Sequence, residues 1–189
     1  MKQAKLLNDT EFKRLTAVIN SMRYPTRNHT AMALSFYAGL RACEIAALRV
    51  GDVFDDLGGV KDTIYLNSDQ TKGADSATAL VNSKLKRQLA KFAKQYPVQI
   101  SNRSATLLFS AKGGGPAQTI VNLFKRLYKM AGIDGASSHS GRRQFVTQLA
   151  DRGINARLVQ VLARHKHLST TQRYIDVNES KLRGAIELI

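Results

Sequence analysis

Residues 162–174 read Leu-Ala-Arg-His-Lys-His-Leu-Ser-Thr-Thr-Gln-Arg-Tyr. Two histidines, His165 and His167, flank Lys166, and Tyr174 closes the run nine residues after the first of them. Just upstream, Asn155 is placed to cap a short helix that runs through Leu162, and Gly153 ends the helix before that. Ser169 to Tyr174 is expected as another short helix. A histidine and a tyrosine on adjoining short helices can share one site, which makes this the stretch to build outward from.

Three further runs supply polar groups of the same chemical kind. They are HSGRR (139–143), QTKGAD (70–75) and GLRACEI (39–45). A phosphodiester already carries a negative charge, and attack by an oxygen nucleophile places more on the phosphoryl oxygens. Without a metal, that charge has to be met by fixed cationic donors. The planar fork of arginine binds two oxygens at once and stays charged, so Arg41 and Arg142 are the residues placed there. His139, three residues before Arg142, shares its helical face and can bond the same phosphate. Tyr174 can attack phosphorus to give a covalent phosphotyrosine, and Lys72, at a hairpin, can protonate the leaving 5′-oxygen. One of the two histidines can hold the phosphate or orient the tyrosine.

Each side chain taken alone has an ordinary role. Arg41 can pair with Glu44 at i+3, Lys72 can be a solvated hairpin lysine, and His139 can cap a helix. Tyr174 can be a core aromatic, with five other tyrosines in competition. The ordered set is what points to strand chemistry.

Composition agrees. Lys plus Arg is 29 against 14 for Asp plus Glu, a net charge of +15, so polyanions are the expected partners. Between 84 and 103 there are six basic side chains and no acidic one. Lys84, Lys86, Arg87, Lys91 and Lys94, with Leu85, Leu89 and Phe92 between them, predict an amphipathic helix with a basic outer face able to follow a phosphate backbone. Lys84, Arg87 and Lys91 are the DNA contacts expected on it. No apolar run is long enough to span a bilayer, and the N-terminus has no apolar signal core, so no membrane role is expected. The single cysteine, Cys43, excludes an internal disulfide and reads as a small core residue. The location expected is the bacterial cytoplasm, associated with the nucleoid.

The pattern along the chain is mainly helical. Helices are expected over 11–22, 28–38 (stopped by Gly39), 41–48, the basic stretch from 84, 119–131 (stopped by Gly132), 139–152 and 180–188, with Tyr24-Pro25-Thr26 as a break. Strand composition at 50–54, 63–66 and 78–81 predicts a three-stranded antiparallel sheet with Lys72 at its second hairpin. Residues 97–104 read as a loop, and AKGGGPAQ as a turn. The fold class is therefore mainly α with a small three-stranded antiparallel sheet.

The chain resembles the catalytic domain of the tyrosine recombinase (phage integrase) family. GLRACEIAALRVGDV is similar to that family's first-arginine motif, HSGRR to its His-x-x-Arg motif, and LARHKHLSTTQRY to its C-terminal block, where Leu-Gly-His precedes Ser-Thr-Thr-Gln and the nucleophilic tyrosine. The spacing in that block selects His165 over His167. The resemblance covers about residues 7–185. It implies a catalytic set of Arg41, Lys72, His139, Arg142, His165 and Tyr174, with no metal and no cofactor. The implied activity is site-specific cleavage and rejoining of double-stranded DNA through a 3′-phosphotyrosine, by a homo-oligomer that is tetrameric on DNA, with a monomer as the alternative state without it. A C-terminal helix bearing Leu182, Ala185, Ile186 and Ile189 would pack on a neighbouring subunit or on its own core. Three departures stand out. Ala163-Arg164 replaces the Gly before the histidine, Gly141 replaces a Leu, which removes a core contact and loosens a helix start, and Arg143 replaces a His. Arg143 and Arg164 are counted as DNA contacts. Most relatives carry an N-terminal domain that closes on DNA; here residues 1–189 are expected as one catalytic domain without it, like the fimbrial-switch invertases. A non-catalytic DNA-binding regulator and a type IB topoisomerase are the competing readings.

Overall fold

In the computed structural model of the protein the described residues are 3–71, 75–109, 117–175 and 179–187. They form two compact units, Met1–Phe145 and Val146–Ile189.

The first unit is organised around α2 (Pro25–Ala38), eleven of whose fourteen residues are buried. An all-round buried helix needs neighbours on every side. Among the elements packed on it are α1 (Asp9–Asn20), α3 (Ala42–Ala47) and, after the sheet, α5 (Ser83–Gln95). α1 begins with a capping box: the Asn8 side chain accepts from Glu11 N at 2.9 Å, and Glu11 accepts from Asn8 N at 3.1 Å. Glu11 also meets Lys5 at 2.6 Å, and this bond holds its carboxyl below the ordinary range. Pro25 does not break the chain; it occupies the first helical position of α2, where its missing N–H costs nothing. Gly39, at φ 62°, ends that helix in the left-handed conformation, as expected of a glycine stop.

The sheet is smaller than the sequence suggests. Residues Val50–Val53 form a single helical turn, α4, rather than a first strand. Asp52 accepts the Arg49 N–H at 2.8 Å, and this local cap outweighs the strand preference of the two valines. Among the described residues two strands remain, β1 (Thr63–Leu66) and β2 (Ala77–Leu80), antiparallel with Thr63 opposite Leu80 and Leu66 opposite Ala77. Gln70, 4 % exposed, donates to Ala47 O at 3.0 Å and to Asp52 at 2.7 Å, bracing the base of this hairpin on the α3–α4 region. Lys72 lies outside the described residues.

α5 buries Leu85, Leu89 and Phe92 and leaves Lys84, Lys86, Arg87, Lys91 and Lys94 exposed, the amphipathic arrangement expected. The segment after it contains a short helix, α6 (Pro97–Ser101), in place of a loop, with Pro97 again at a helix start. α7 (Ala117–Met130) places Ile120, Leu123, Phe124, Leu127 and Tyr128 in the core at helical spacing. Cys43 is half-buried rather than enclosed.

α8 (Ser140–Asp151) runs from the first unit into the second. The rest of the second unit comprises α9 (Ala156–Ala163), α10 (Leu168–Gln172) and α11 (Glu179–Ile186). Leu182 and Ile186 on α11 are exposed, whereas Ile189 and the side chain of Ala185 lie outside the described set. No described helix is long and apolar enough to cross a membrane.

Candidate active site

Two groups of the expected residues are organised separately, one in each unit. The first is built on the turn between α2 and α3. The left-handed Gly39 reverses the chain, and Leu40 is fully buried with its N–H on Leu34 O at 3.2 Å. Arg41 therefore emerges at the N-cap of α3 with extended backbone. Glu44, 1 % exposed, holds it from both ends: one carboxylate oxygen accepts the Arg41 N–H at 2.9 Å and the other accepts Nη1 at 2.5 Å. The ordinary i+3 pair is thus present, yet it engages only part of a five-donor fork. It orients Arg41 and leaves further donors for an oxyanion.

Arg142 reaches the same turn from 103 residues away. Its Nη1 donates to the Gly39 carbonyl at 2.6 Å, and the side chain is 7 % exposed. Two guanidinium-bearing residues are thereby gathered on one loop. Arg142 comes from the first turn of α8, whose start is set by Ser137 and Ser140: Ser140 N donates to Ser137 O at 2.9 Å, and Ser137 N donates to Ser140 Oγ at 3.0 Å. His139 sits just before that helix, exposed, with its carbonyl accepting from Arg143 N at 2.9 Å. Arg143 is half-buried and its Nη1 donates to the Ala4 carbonyl.

Gly141 belongs to this arrangement for a reason opposite to the one its composition suggests. It does not loosen the helix start. A Cβ there would lie 2.6 and 2.8 Å from ring carbons of Phe36, so the glycine is what allows α8 to approach α2. Gly141→Ala is expected to destabilise the protein by about 1–3 kcal/mol, since overpacking forces the buried Phe36 ring or the backbone to move. Thermal unfolding followed by circular dichroism would show this as a fall of roughly 2–4 °C in Tm per kcal/mol. An unchanged Tm would mean the contact is slack.

The second group is held by Thr171. Its hydroxyl lies 2.9 Å from His165 Nδ1, and its carbonyl accepts the Tyr174 N–H at 2.9 Å. Thr171 is fully buried and His165 is 8 % exposed. The Tyr174 ring stacks on the imidazole with centroids 5.9 Å apart and planes 20° from parallel. Gln160 pins the histidine backbone from α9: its carbonyl accepts His165 N at 3.0 Å, and its Nε2 donates to His165 O at 3.0 Å. His167 is exposed and occupies the N-cap of α10, so the geometry separates the two histidines that the residues alone left open.

Arg164 explains the glycine that the resemblance leads one to expect before His165. It is the α9 C-cap, at φ 55° and ψ 46°, and no other described residue except glycine has positive φ. A side chain in that conformation costs about 1–2 kcal/mol. Arg164→Gly is therefore expected to stabilise the protein by about 0.5–1 kcal/mol, after the greater freedom of glycine in the unfolded chain is subtracted. A lower Tm for this variant would show that the arginine's own contacts, including Nη1 to Leu162 O at 3.4 Å, outweigh the backbone cost.

Three contributors went unassigned in the sequence. Glu44 was visible only as a partner of Arg41, Thr171 only as part of a Ser-Thr-Thr run, and Gln160 carried no signal at all. Among the described residues no cluster of three or more His, Cys, Asp or Glu could hold a metal ion.

The helical architecture with its small antiparallel sheet, and these two sets of side chains, define a class that comparison with known proteins makes specific. Residues 5–181 match the phage integrase family, and the chain belongs to that family. Tyrosine recombinase XerA of Thermococcus kodakarensis is 31 % identical over 187 residues, covering 97 % of this chain and 62 % of that protein. XerA of Pyrococcus horikoshii is 26 % identical over 183 residues, covering 97 % and 60 %. The chain thus spans about three fifths of the length of these curated relatives. The fold is that of the crystal structure of XerA recombinase, with a TM-score of 0.75 at 23 % identity over 99 % of this chain and 66 % of that one. It is also that of the Tn1549 transposon integrase in complex with a circular intermediate DNA, with a TM-score of 0.78 at 19 % identity over 100 % and 67 %.

Proposed function

We propose that the protein is a tyrosine-type site-specific recombinase that cleaves and rejoins double-stranded DNA through a 3′-phosphotyrosine. The observation that carries this reading is the bond from Arg142 to the Gly39 carbonyl, which brings a second guanidinium to the loop that presents Arg41. Paired arginine forks suit a phosphoryl group whose charge grows during attack. The two XerA relatives are named tyrosine recombinases, and the Tn1549 integrase structure contains DNA.

In this reading the Tyr174 hydroxyl oxygen attacks phosphorus as its proton departs. The bond from phosphorus to the 5′-oxygen breaks, and that oxygen takes a proton from Lys72. The phosphotyrosine conserves the bond energy, so a 5′-hydroxyl can later displace the tyrosine without ATP. Arg41, Arg142 and His139 bind the non-bridging oxygens. When the Thr171 hydroxyl donates to Nδ1 of a neutral His165, the ring proton sits on Nε2 and is available to the phosphate. The exposed face of α5, with Lys84, Arg87 and Lys91, follows the duplex backbone, and Arg143 and Arg164 are further DNA contacts. No metal or cofactor takes part. The protein works in the bacterial cytoplasm, at the nucleoid, and assembles as a homotetramer on two duplexes.

The test is to incubate the protein with nicked duplexes that it demonstrably binds and to look for an adduct surviving denaturing electrophoresis. Peptide mapping should find the nucleotide on Tyr174. Binding without any such adduct, across substrates drawn from the DNA that flanks the gene, would overturn the reading in favour of a non-catalytic DNA-binding protein.

A further inference from the structure

Arg27 is a buried cation with nothing to bind. Its side chain is on the first turn of α2, and the residue is only 7 % exposed. Its Nε is sealed from solvent without a partner, and no hydrogen bond or ion pair joins its guanidinium to any described residue. What surrounds it is aromatic. Its Cζ lies 5.9 Å from the Tyr24 ring centroid and 5.6 Å from that of Phe109. Those two rings meet edge to face at 5.3 Å, and Tyr96 packs on Phe109 at 5.1 Å. Ring faces stabilise a cation, but they satisfy none of its donors. Burial accordingly pushes the Arg27 pKa down. A desolvated charge without a counter-charge is among the costlier features a fold can retain, and an unsatisfied buried donor calls for an ion or a ligand.

The surroundings select the sign and class of that ligand. α2 is fourteen residues long and its first turn holds no acidic residue. Tyr24, its N-cap, supplies no side-chain acceptor. The N–H groups of Thr26 and Arg27 have no acceptor within the helix, so the positive end of the helix dipole is uncompensated at the place where Arg27 sits. A second guanidinium, that of Arg23, lies 5.2 Å from the centroid of the same Tyr24 ring. Two arginine forks and a helix N-terminus match a tetrahedral oxyanion, which can accept from several donors at once.

We infer that Arg27, Arg23 and the first turn of α2 form a binding site for a phosphate group, distinct from the loop that carries Arg41. The group is either inorganic phosphate or a phosphate of a nucleic acid backbone. This inference does not depend on the strand chemistry proposed above, because it concerns binding alone.

The protein uniformly labelled with nitrogen-15 permits a direct test. The Nε–H resonance of Arg27, identified by its loss in Arg27→Lys, would be followed as sodium phosphate replaces sodium chloride at constant ionic strength. The expected result is a saturable shift with a Kd of about 1–10 mM, accompanied by the Thr26 and Arg27 amides. Arg23→Gln should weaken it about fivefold, the size of one exposed ion pair. If Arg27→Lys does not fold, the Thr26 amide in the wild-type protein gives the same readout. A random-sequence duplex that drives the phosphate signal back identifies the backbone as the source; a signal that persists identifies the free anion. Shifts that are linear, or equal in phosphate and chloride, would overturn the inference.

Discussion

Tyr174→Phe is expected to bind duplex DNA within about twofold of wild type and to form no covalent adduct with it. The substitution isolates one oxygen. Phenylalanine keeps the ring that stacks on His165, and the bond from the residue 174 backbone N–H to the Thr171 carbonyl is unaffected. The α9–α10 packing should therefore survive, and the variant should match wild type in circular dichroism and in Tm. The residues that organise this group offer no substitute nucleophile: Thr171 is fully buried, with its hydroxyl on His165. Gel-shift affinity and adduct yield measured on one nicked duplex provide the check. A residual adduct at the wild-type rate would mean that another side chain attacks phosphorus, and it would remove Tyr174 from the proposed mechanism.

Arg142→Ala should lower the rate of cleavage by about 10²–10³, the usual consequence of removing one preorganised donor from developing negative charge. Duplex affinity should fall far less, because the interaction strengthens only as charge accumulates. The substitution also removes the bond from Arg142 to the Gly39 carbonyl. Losing a bond to a charged group costs about 1.5–3 kcal/mol, so stability must be measured alongside activity. Arg142→Lys separates the two effects. A lysine can reach one acceptor but cannot present a fork, so it should recover stability more fully than rate. Single-turnover cleavage at saturating protein, paired with thermal melts, distinguishes these outcomes. Equal losses in binding and cleavage would show that Arg142 only holds DNA.

Much of the helical framework was legible in the sequence because helix ends are local. The caps at Asn8 and Asn155 involve residues two or three positions away. The glycine stops at 39, 132 and 153 depend only on a left-handed backbone that glycine adopts freely. The outward basic face of α5 follows from periodicity alone. The misreadings occurred where two local signals competed. Val50–Val53 has strand composition, yet Asp52 caps it into a helical turn. Pro25 and Pro97, which read as a break and a loop, each begin a helix.

The site divides in the same way. Residue order alone determined that this chain carries two arginines, two histidine positions and a tyrosine in the pattern of its family, because that information is the residues themselves. Helix termini fell within its reach too, being made by neighbours along the chain. Only tertiary structure decided that Arg142 docks on the carbonyl of Gly39 and that Thr171 joins His165 to Tyr174. It also decided that Gly141 is a requirement of close helix approach rather than a weakness. These outcomes depend on how helices distant in sequence pack, and on which buried donor finds which acceptor once water has been excluded.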